Sequence, residues 1–287
     1  MTEQPFKPEM TAAGLSHSER VSCLDERGQE QEIYLVGERA LTIYVDRQEI
    51  VTLMTIGSHP ELLTLGYLKN QGFFDQLTEL SVIQVDWETE AVAVVSTQSE
   101  SDFSEQMKQR TVTTGCGQGT VFGRLMEKLQ KIKVPDIKVK QSTLYAMLAE
   151  VYAYNEVYKQ SGAVHGCALC EGSRIELFVE DVGRHNAVDA IAGHMWLNNI
   201  SGDNKIFYTT GRLTSEMVIK VTQMGIPILL SRSGTTQMGL AMAQQAGVTL
   251  ISRAKGQRLL VLNGGDKVIF DAIPELRRKN DHRGVLR

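Results

Sequence analysis

From Arg174 onward the chain alternates apolar strand-like runs with helix-like runs, joined by short polar links, and that rhythm constrains the fold more than any other feature. RIELFVED, KIFYTT, IPILLS, VTLISRA and QRLLVLN read as strands. HNAVDAIAGHMWLNN, LTSEMVIKVTQM and TTQMGLAMAQQA read as the intervening helices, the last two stopping at Gly225 and Gly247. Repeated strand–helix–strand units with short loops predict a largely parallel sheet covered by helices. A further helix, capped by Ser142 and ended by Gly162, precedes them, with Leu144, Met147, Leu148, Val151, Tyr152 and Tyr158 at helical spacing.

The first half has another rhythm. Residues 31–56 alternate apolar and polar side chains and break at Gly37-Glu38, as β-strands do. His59-Pro60 opens a helix carrying Leu62, Leu65, Leu68 and Phe73. Strands LSVIQVDW and AVAVVST follow, then an acidic connector and a loop, TVTTGCGQGT, after which Thr120 can cap another helix. The division expected is a disordered tail over 1–30, an α+β domain over 31–135, an α/β domain over 136–275 and a second tail over 276–287. The opening residues lack the basic and apolar regions of a secretory leader. No apolar run approaches the length of a membrane span.

Charge is unevenly placed. The whole chain of 287 residues carries a net charge of −4, which does not suit a polyanion binder. Between Lys205 and Leu260, however, seven basic residues face one acid, Glu216, so that stretch is +6 and the remainder −10. In open α/β sheets ligands gather where strand ends lead into helix N-termini. Three loops of that kind, 180–186, 210–215 and 231–236, each hold a glycine and an arginine ahead of a capping hydroxyl or amide. Backbone N–H groups and arginine together make an anion site, whereas glycine, serine and threonine alone are ordinary turn chemistry.

Four cysteines, Cys23, Cys116, Cys167 and Cys170, are too few for a disulfide framework and fit a reducing compartment. Cys116 lies between two glycines, which favours an accessible, mobile thiol, and a helix starting near Thr120 would favour the thiolate. His165, Cys167 and Cys170 in HGCALC could ligate zinc or form a redox pair. Their small apolar neighbours favour simple burial instead. EDVGRHNAVD, residues 180–189, is the densest polar cluster. Acid–base work by His185, ligand binding and helix capping by Asp181 and Asn186 are all open to it.

These stretches resemble the FdhD family of formate dehydrogenase accessory sulfurtransferases. The likeness rests on TTGCG (113–117), GAVHGCAL (162–169), EDVGRHNAVD (180–189), TGRLTSEMV (210–218), GIPILLSRSGTT (225–236) and AGVTLISRAKGQR (246–258), in that order. The resemblance implies a cytidine-deaminase-like three-layer α/β/α core, lacking the deaminase zinc, joined to a smaller β-rich domain. It implies a cytoplasmic homodimer that takes persulfide sulfur from a cysteine desulfurase on Cys116. The sulfur passes to the molybdenum bis(molybdopterin guanine dinucleotide) cofactor destined for formate dehydrogenase. Neither a nucleic acid nor a membrane is an expected partner, and no metal of its own is expected. Binding of the guanine nucleotide cofactor falls to Arg253, Ala254, Lys255, Gly256, Gln257 and Arg258, with Arg184, His185, Gly211, Arg212 and Ser233. The family usually has an aromatic residue in place of Arg253 and arginine in place of Lys255. Its loop usually reads C-x-x-C, whereas Gly119 takes the second position here. A non-catalytic cofactor chaperone is the alternative reading, and a zinc hydrolase would need H-x-E and P-C-x-x-C signatures that the chain lacks.

Overall fold

The computed structural model describes residues 6–15, 18–97 and 132–274, together with the short strands 111–112 and 119–120. Cys116, the helix expected after Thr120 and the expected tail over 276–287 lie outside the described residues.

The second half is a six-stranded sheet of β11 (His165–Glu171), β12 (Arg174–Asp181), β13 (Lys205–Thr209), β14 (Ile228–Ser231), β15 (Thr249–Lys255) and β16 (Arg258–Asn263). Their spatial order is β12-β11-β13-β14-β15-β16. The expectation of a largely parallel sheet needs correction. Only β13–β14 and β14–β15 are parallel, while β11 runs antiparallel to both its neighbours and β16 antiparallel to β15. Tight links are the cause. Gly172 (φ 60°) and Gly256 (φ 59°) turn the chain back at once, and a connection that short can only produce an antiparallel neighbour. HGCALC, expected to be buried but not assigned a strand, is β11, next to the centre of the sheet.

Side-chain alternation gives the sheet two apolar faces. Cys167, Leu169, Phe207, Leu229 and Leu250 join one core cluster. That face is covered by α4 (Arg184–Leu197), α5 (Ser215–Gln223) and α6 (Gln237–Ala246). Ala168, Cys170, Ile206, Tyr208, Ile228 and Leu230 join a second cluster with Leu144, Met147 and Val151. Those three belong to α2 (Gln141–Tyr154), which begins ahead of Ser142 and stops at Asn155. The single helix expected up to Gly162 is therefore two, the second being the six-residue α3 (Glu156–Ser161). Tyr152 and Tyr158 are exposed and not on the buried face.

The first half holds a five-stranded sheet ordered β1-β6-β7-β4-β5. Its strands are β1 (Glu9–Met10), β4 (Arg39–Val45), β5 (Gln48–Thr55), β6 (Leu80–Asp86) and β7 (Ala91–Ser96), and β2 (Ser18–Leu24) pairs separately with β3 (Glu30–Val36). Residues 1–30 were expected to be a tail, but β1 pairs in parallel with β6 and β2 forms half of a hairpin. Specific bonds hold the start of the chain. The buried Glu61 carboxylate accepts from Thr11 Oγ1 at 2.7 Å and the Ala13 N–H at 2.8 Å, and Trp87 Nε1 donates to the Ala13 carbonyl at 2.6 Å.

The core runs through both halves, with Leu41, Leu65 and Leu68 in the same cluster as Val188 and Ile191. Helix α1 (Pro60–Gln71) meets α4 backbone to backbone. A Cβ on Gly66 would lie 1.7 Å from the Asp189 carbonyl oxygen, and one on Gly193 2.0 Å from that of Leu62. Asn70 and Lys220 both donate to the buried Asp189 carboxylate at 2.7 Å, so three helices close on one acid.

Candidate functional site

Sheet register decides which loops can meet. His165 pairs with Asp181, Cys167 with Thr209, Thr209 with Ser231, and Leu230 with Ile251. The start of β11 and the ends of β12, β13, β14 and β15 therefore share one edge. The loops there are stitched together. Ser231 Oγ donates to the Gly211 carbonyl at 2.6 Å and Ser233 Oγ to that of Thr210 at 2.7 Å. The backbone N–H groups of Leu213, Thr236 and Arg253 donate to the carbonyls of Gly234, Leu213 and Ser233.

This edge brings together the residues expected to bind a cofactor, though not all with the same freedom. Arg212, Arg253, Lys255, Gly256, Gln257 and Arg258 are exposed. Ala254 is 1% exposed and packs into the core, so its side chain is structural. The Ser233 hydroxyl is committed to Thr210. Arg253 adopts φ 50° at a register irregularity between Ser252 and Lys255. Such a bulge re-aims a side chain at the end of a strand. Gly211 lies where a Cβ would come within 2.7 Å of Arg184 Cδ, so the arginine stem crosses the loop backbone closely.

Most of EDVGRHN is architecture. Asp181 accepts from Thr55 Oγ1 at 2.5 Å, from Asn186 Nδ2 at 2.8 Å and from the Gly183 N–H at 2.9 Å. Asn186 also donates to the Met54 carbonyl at 2.6 Å, which ties β5 to the start of α4. Glu180 accepts from the N–H groups of Val157 and Tyr158, both at 2.9 Å, and thereby caps α3. Arg184 and His185 remain for the site. His185 is 3% exposed, with Nε2 3.2 Å from Glu216 Oε2. Burial, followed by the nearby Lys220, Arg184, His165 and Arg212, pushes its pKa down to about 2. The imidazole is therefore neutral near pH 7, which suits a hydrogen-bonding group and not a general acid. Burial and the two arginines Arg184 and Arg212 lower His165 as well.

Glu216 was not singled out as a site residue, although it is the lone acid of the basic stretch. Arg184 Nε, His185 Nδ1, Thr214 Oγ1 and Glu216 Oε1 are buried without a hydrogen-bond partner among the described residues. All four lie on the first turns, or at the cap, of α4 and α5.

The cysteines sort by burial. Cys167 and Cys170 are both 0% exposed and fall in different core clusters, on opposite faces of the sheet. Burial pushes each thiol up to about 12. They can neither share a metal nor close a disulfide, and among the described residues no group of three His, Cys, Asp or Glu is placed to hold a metal ion. The simple burial reading of HGCALC is the correct one. Around Cys116, the strands β8 (Thr111–Val112) and β9 (Gly119–Thr120) pair antiparallel, with Val112 opposite Gly119.

The pattern of the FdhD/NarQ family matches residues 36–269. A relative from Wolinella succinogenes, named sulfur carrier protein FdhD, is 25% identical over 89% of this chain and 87% of its own. One of the same name from Bacillus subtilis is 29% identical over 76% of this chain and 83% of its own. Among solved structures, a candidate formate dehydrogenase accessory protein from Desulfotalea psychrophila superposes with a TM-score of 0.69 at 26% identity. That superposition covers 88% of this chain and 98% of the other.

Proposed function

The chain belongs to the FdhD/NarQ family, and from that premise we propose that it is a sulfur carrier serving the maturation of formate dehydrogenase, with Cys116 as the carrying thiol. The observation that carries the assignment to Cys116 is the sorting of the cysteines. Cys167 and Cys170 are sealed in the core as protonated thiols, and Cys23 lies ahead of the stretch that matches the family. Cys116 stands in the TTGCG motif.

The transfer balances as thiol–persulfide exchange. The Cys116 thiolate attacks the outer sulfur of a persulfide on a cysteine desulfurase. The donor's S–S bond breaks, a new one forms on Cys116, and the donor cysteine leaves as thiolate, with no net redox change. Release as sulfide to a metal-bound acceptor requires two electrons. A thiol supplies them by attacking Cys116 Sγ, forming a disulfide and expelling HS⁻. Because Gly119 stands where a second loop cysteine would be, that thiol comes from outside the loop.

The acceptor in this reading is the molybdenum bis(molybdopterin guanine dinucleotide) cofactor, bound as cargo. Arg184, Arg212, Arg253, Lys255 and Arg258 around one sheet edge suit its phosphates, and the neutral His185 with Glu216 suits hydrogen bonding to an uncharged group. The deaminase-like core, the homodimer and the cytoplasmic setting belong to the same proposal. Among the described residues no helix is long and apolar enough to cross a membrane.

The test is restoration of formate dehydrogenase activity in cells lacking their own carrier. Wild type restores it and Cys116→Ala does not. Full restoration by Cys116→Ala would favour the cofactor chaperone, a reading that the absence of a second cysteine at Gly119 keeps in view.

A further inference from the structure

Beyond the ends of β12 and β14, two side chains from distant parts of the chain meet. The Arg232 guanidinium carbon lies 5.7 Å from the centroid of the Tyr158 ring. That is within the range of a cation–π contact. Tyr158 is nonetheless 37% exposed. Both layers are pinned through their backbones. The Tyr158 N–H is held at 2.9 Å by Glu180, the penultimate residue of β12, and the Arg232 N–H donates to the Thr209 carbonyl at 3.0 Å. A carboxylate that is only 9% exposed thus holds the backbone of the residue that carries the exposed ring. The residue after Arg232 is Ser233, whose carbonyl accepts from Arg253. The stack therefore adjoins the arginine-bearing loops directly.

We propose that the Tyr158–Arg232 stack is a nucleobase platform: a planar heterocycle adds to it as a further layer while the attached phosphates lie along the Arg212 and Arg253 loops. Two planar groups already held against each other and partly exposed lose little freedom when a third joins them, which is the general advantage of preorganisation. Stacking of this kind accepts any base, so the platform supplies affinity for the ring, and identity is read elsewhere. The inference rests on the nucleotide-binding part of the proposed function and extends it to two residues outside the expected set.

Calorimetric titration of the full-length protein with GDP and, separately, with inorganic pyrophosphate tests it. Tyr158→Leu is expected to weaken GDP binding by about 5- to 150-fold, the range found when a stacking side chain is removed, and to leave pyrophosphate binding unchanged. Tyr158→Phe should keep wild-type affinity for both, and Arg232→Lys should lose part of the GDP affinity through loss of the planar group. Unfolding midpoints of the variants matching wild type would show that the fold is intact. Equal affinity of wild type and Tyr158→Leu for GDP, or a parallel loss of GDP and pyrophosphate, would overturn the platform and leave the nucleotide reading standing. Failure of the wild-type protein to bind GDP at all would overturn both.

Discussion

Asp181 spends its carboxylate on Thr55, Ile56, Gly183 and Asn186, partners drawn from both halves of the chain. Replacing it with alanine strands several buried donors, and a loss of about 2–4 kcal/mol is expected in urea unfolding. His185 has a different signature. Its pKa falls from an ordinary 6.5 to about 2, so the unfolded chain takes up a proton that the folded chain refuses. That contribution to stability is complete above pH 6.5 and is lost as pH falls toward the folded value, by at most about 1.4 kcal/mol per pH unit. Burial raises Asp181 and Asp189, which act with the opposite sign: their contribution is present at low pH and lost as pH rises through the raised values. Comparing wild type with His185→Gln therefore isolates the histidine, and the variant should show a shallower decline in urea midpoint between pH 6.5 and 5. In the folded protein Cys167 and Cys170 should resist alkylation at pH 8 and react after unfolding, as peptide mapping would read. The sequence pattern located this cluster but could not divide it. Whether an acid caps a helix or faces a ligand depends on which backbone N–H groups lie nearby, and Thr55 and Val157 are far from EDVGRHN along the chain.

Helices α1 and α4 cross with no room for a side chain at Gly66 or Gly193. Gly193→Ala should cost more than the about 1–3 kcal/mol typical of overpacking, because the added atom meets backbone, which cannot change rotamer. Chemical denaturation would measure it, and a cost under 1 kcal/mol would show that the helices can separate cheaply. The strands and helices after Arg174 were legible because their periodicities are strong. β11 was not, since HGCALC is buried on both faces and offers no alternation. Strand direction was misjudged for a related reason: repeated strand–helix units suggest parallel pairing, but the two-residue turns at Gly172 and Gly256 override it. The pairing of β1 with β6 was invisible too, because a two-residue strand has no pattern, and its anchors, Glu61 and Trp87, lie far along the chain.

Across the whole molecule, one sheet edge gathers Arg212, Arg232, Arg253, Lys255 and Arg258 from the stretch that the sequence had shown only as +6, whereas Lys205 sits at the opposite end of β13 against Glu171 and Lys220 is buried against Asp189. Register accounts for that gathering, since five strands end or begin there. The motifs carry the family resemblance in the sequence itself, but the separation of Ala254 and Ser233, which hold the edge together, from Arg212 and Arg253, which face outward, is a property of the fold. The same holds for the cysteines, where burial on opposite faces of the sheet removes Cys167 and Cys170 from the chemistry. The most direct test of the account is the intact mass of the purified protein after incubation with a cysteine desulfurase and cysteine, wild type beside Cys116→Ala. A gain of about 32 Da, one sulfur atom, in wild type and none in the variant is the expected result; the same gain in both would place the sulfur on another cysteine and contradict the assignment to Cys116.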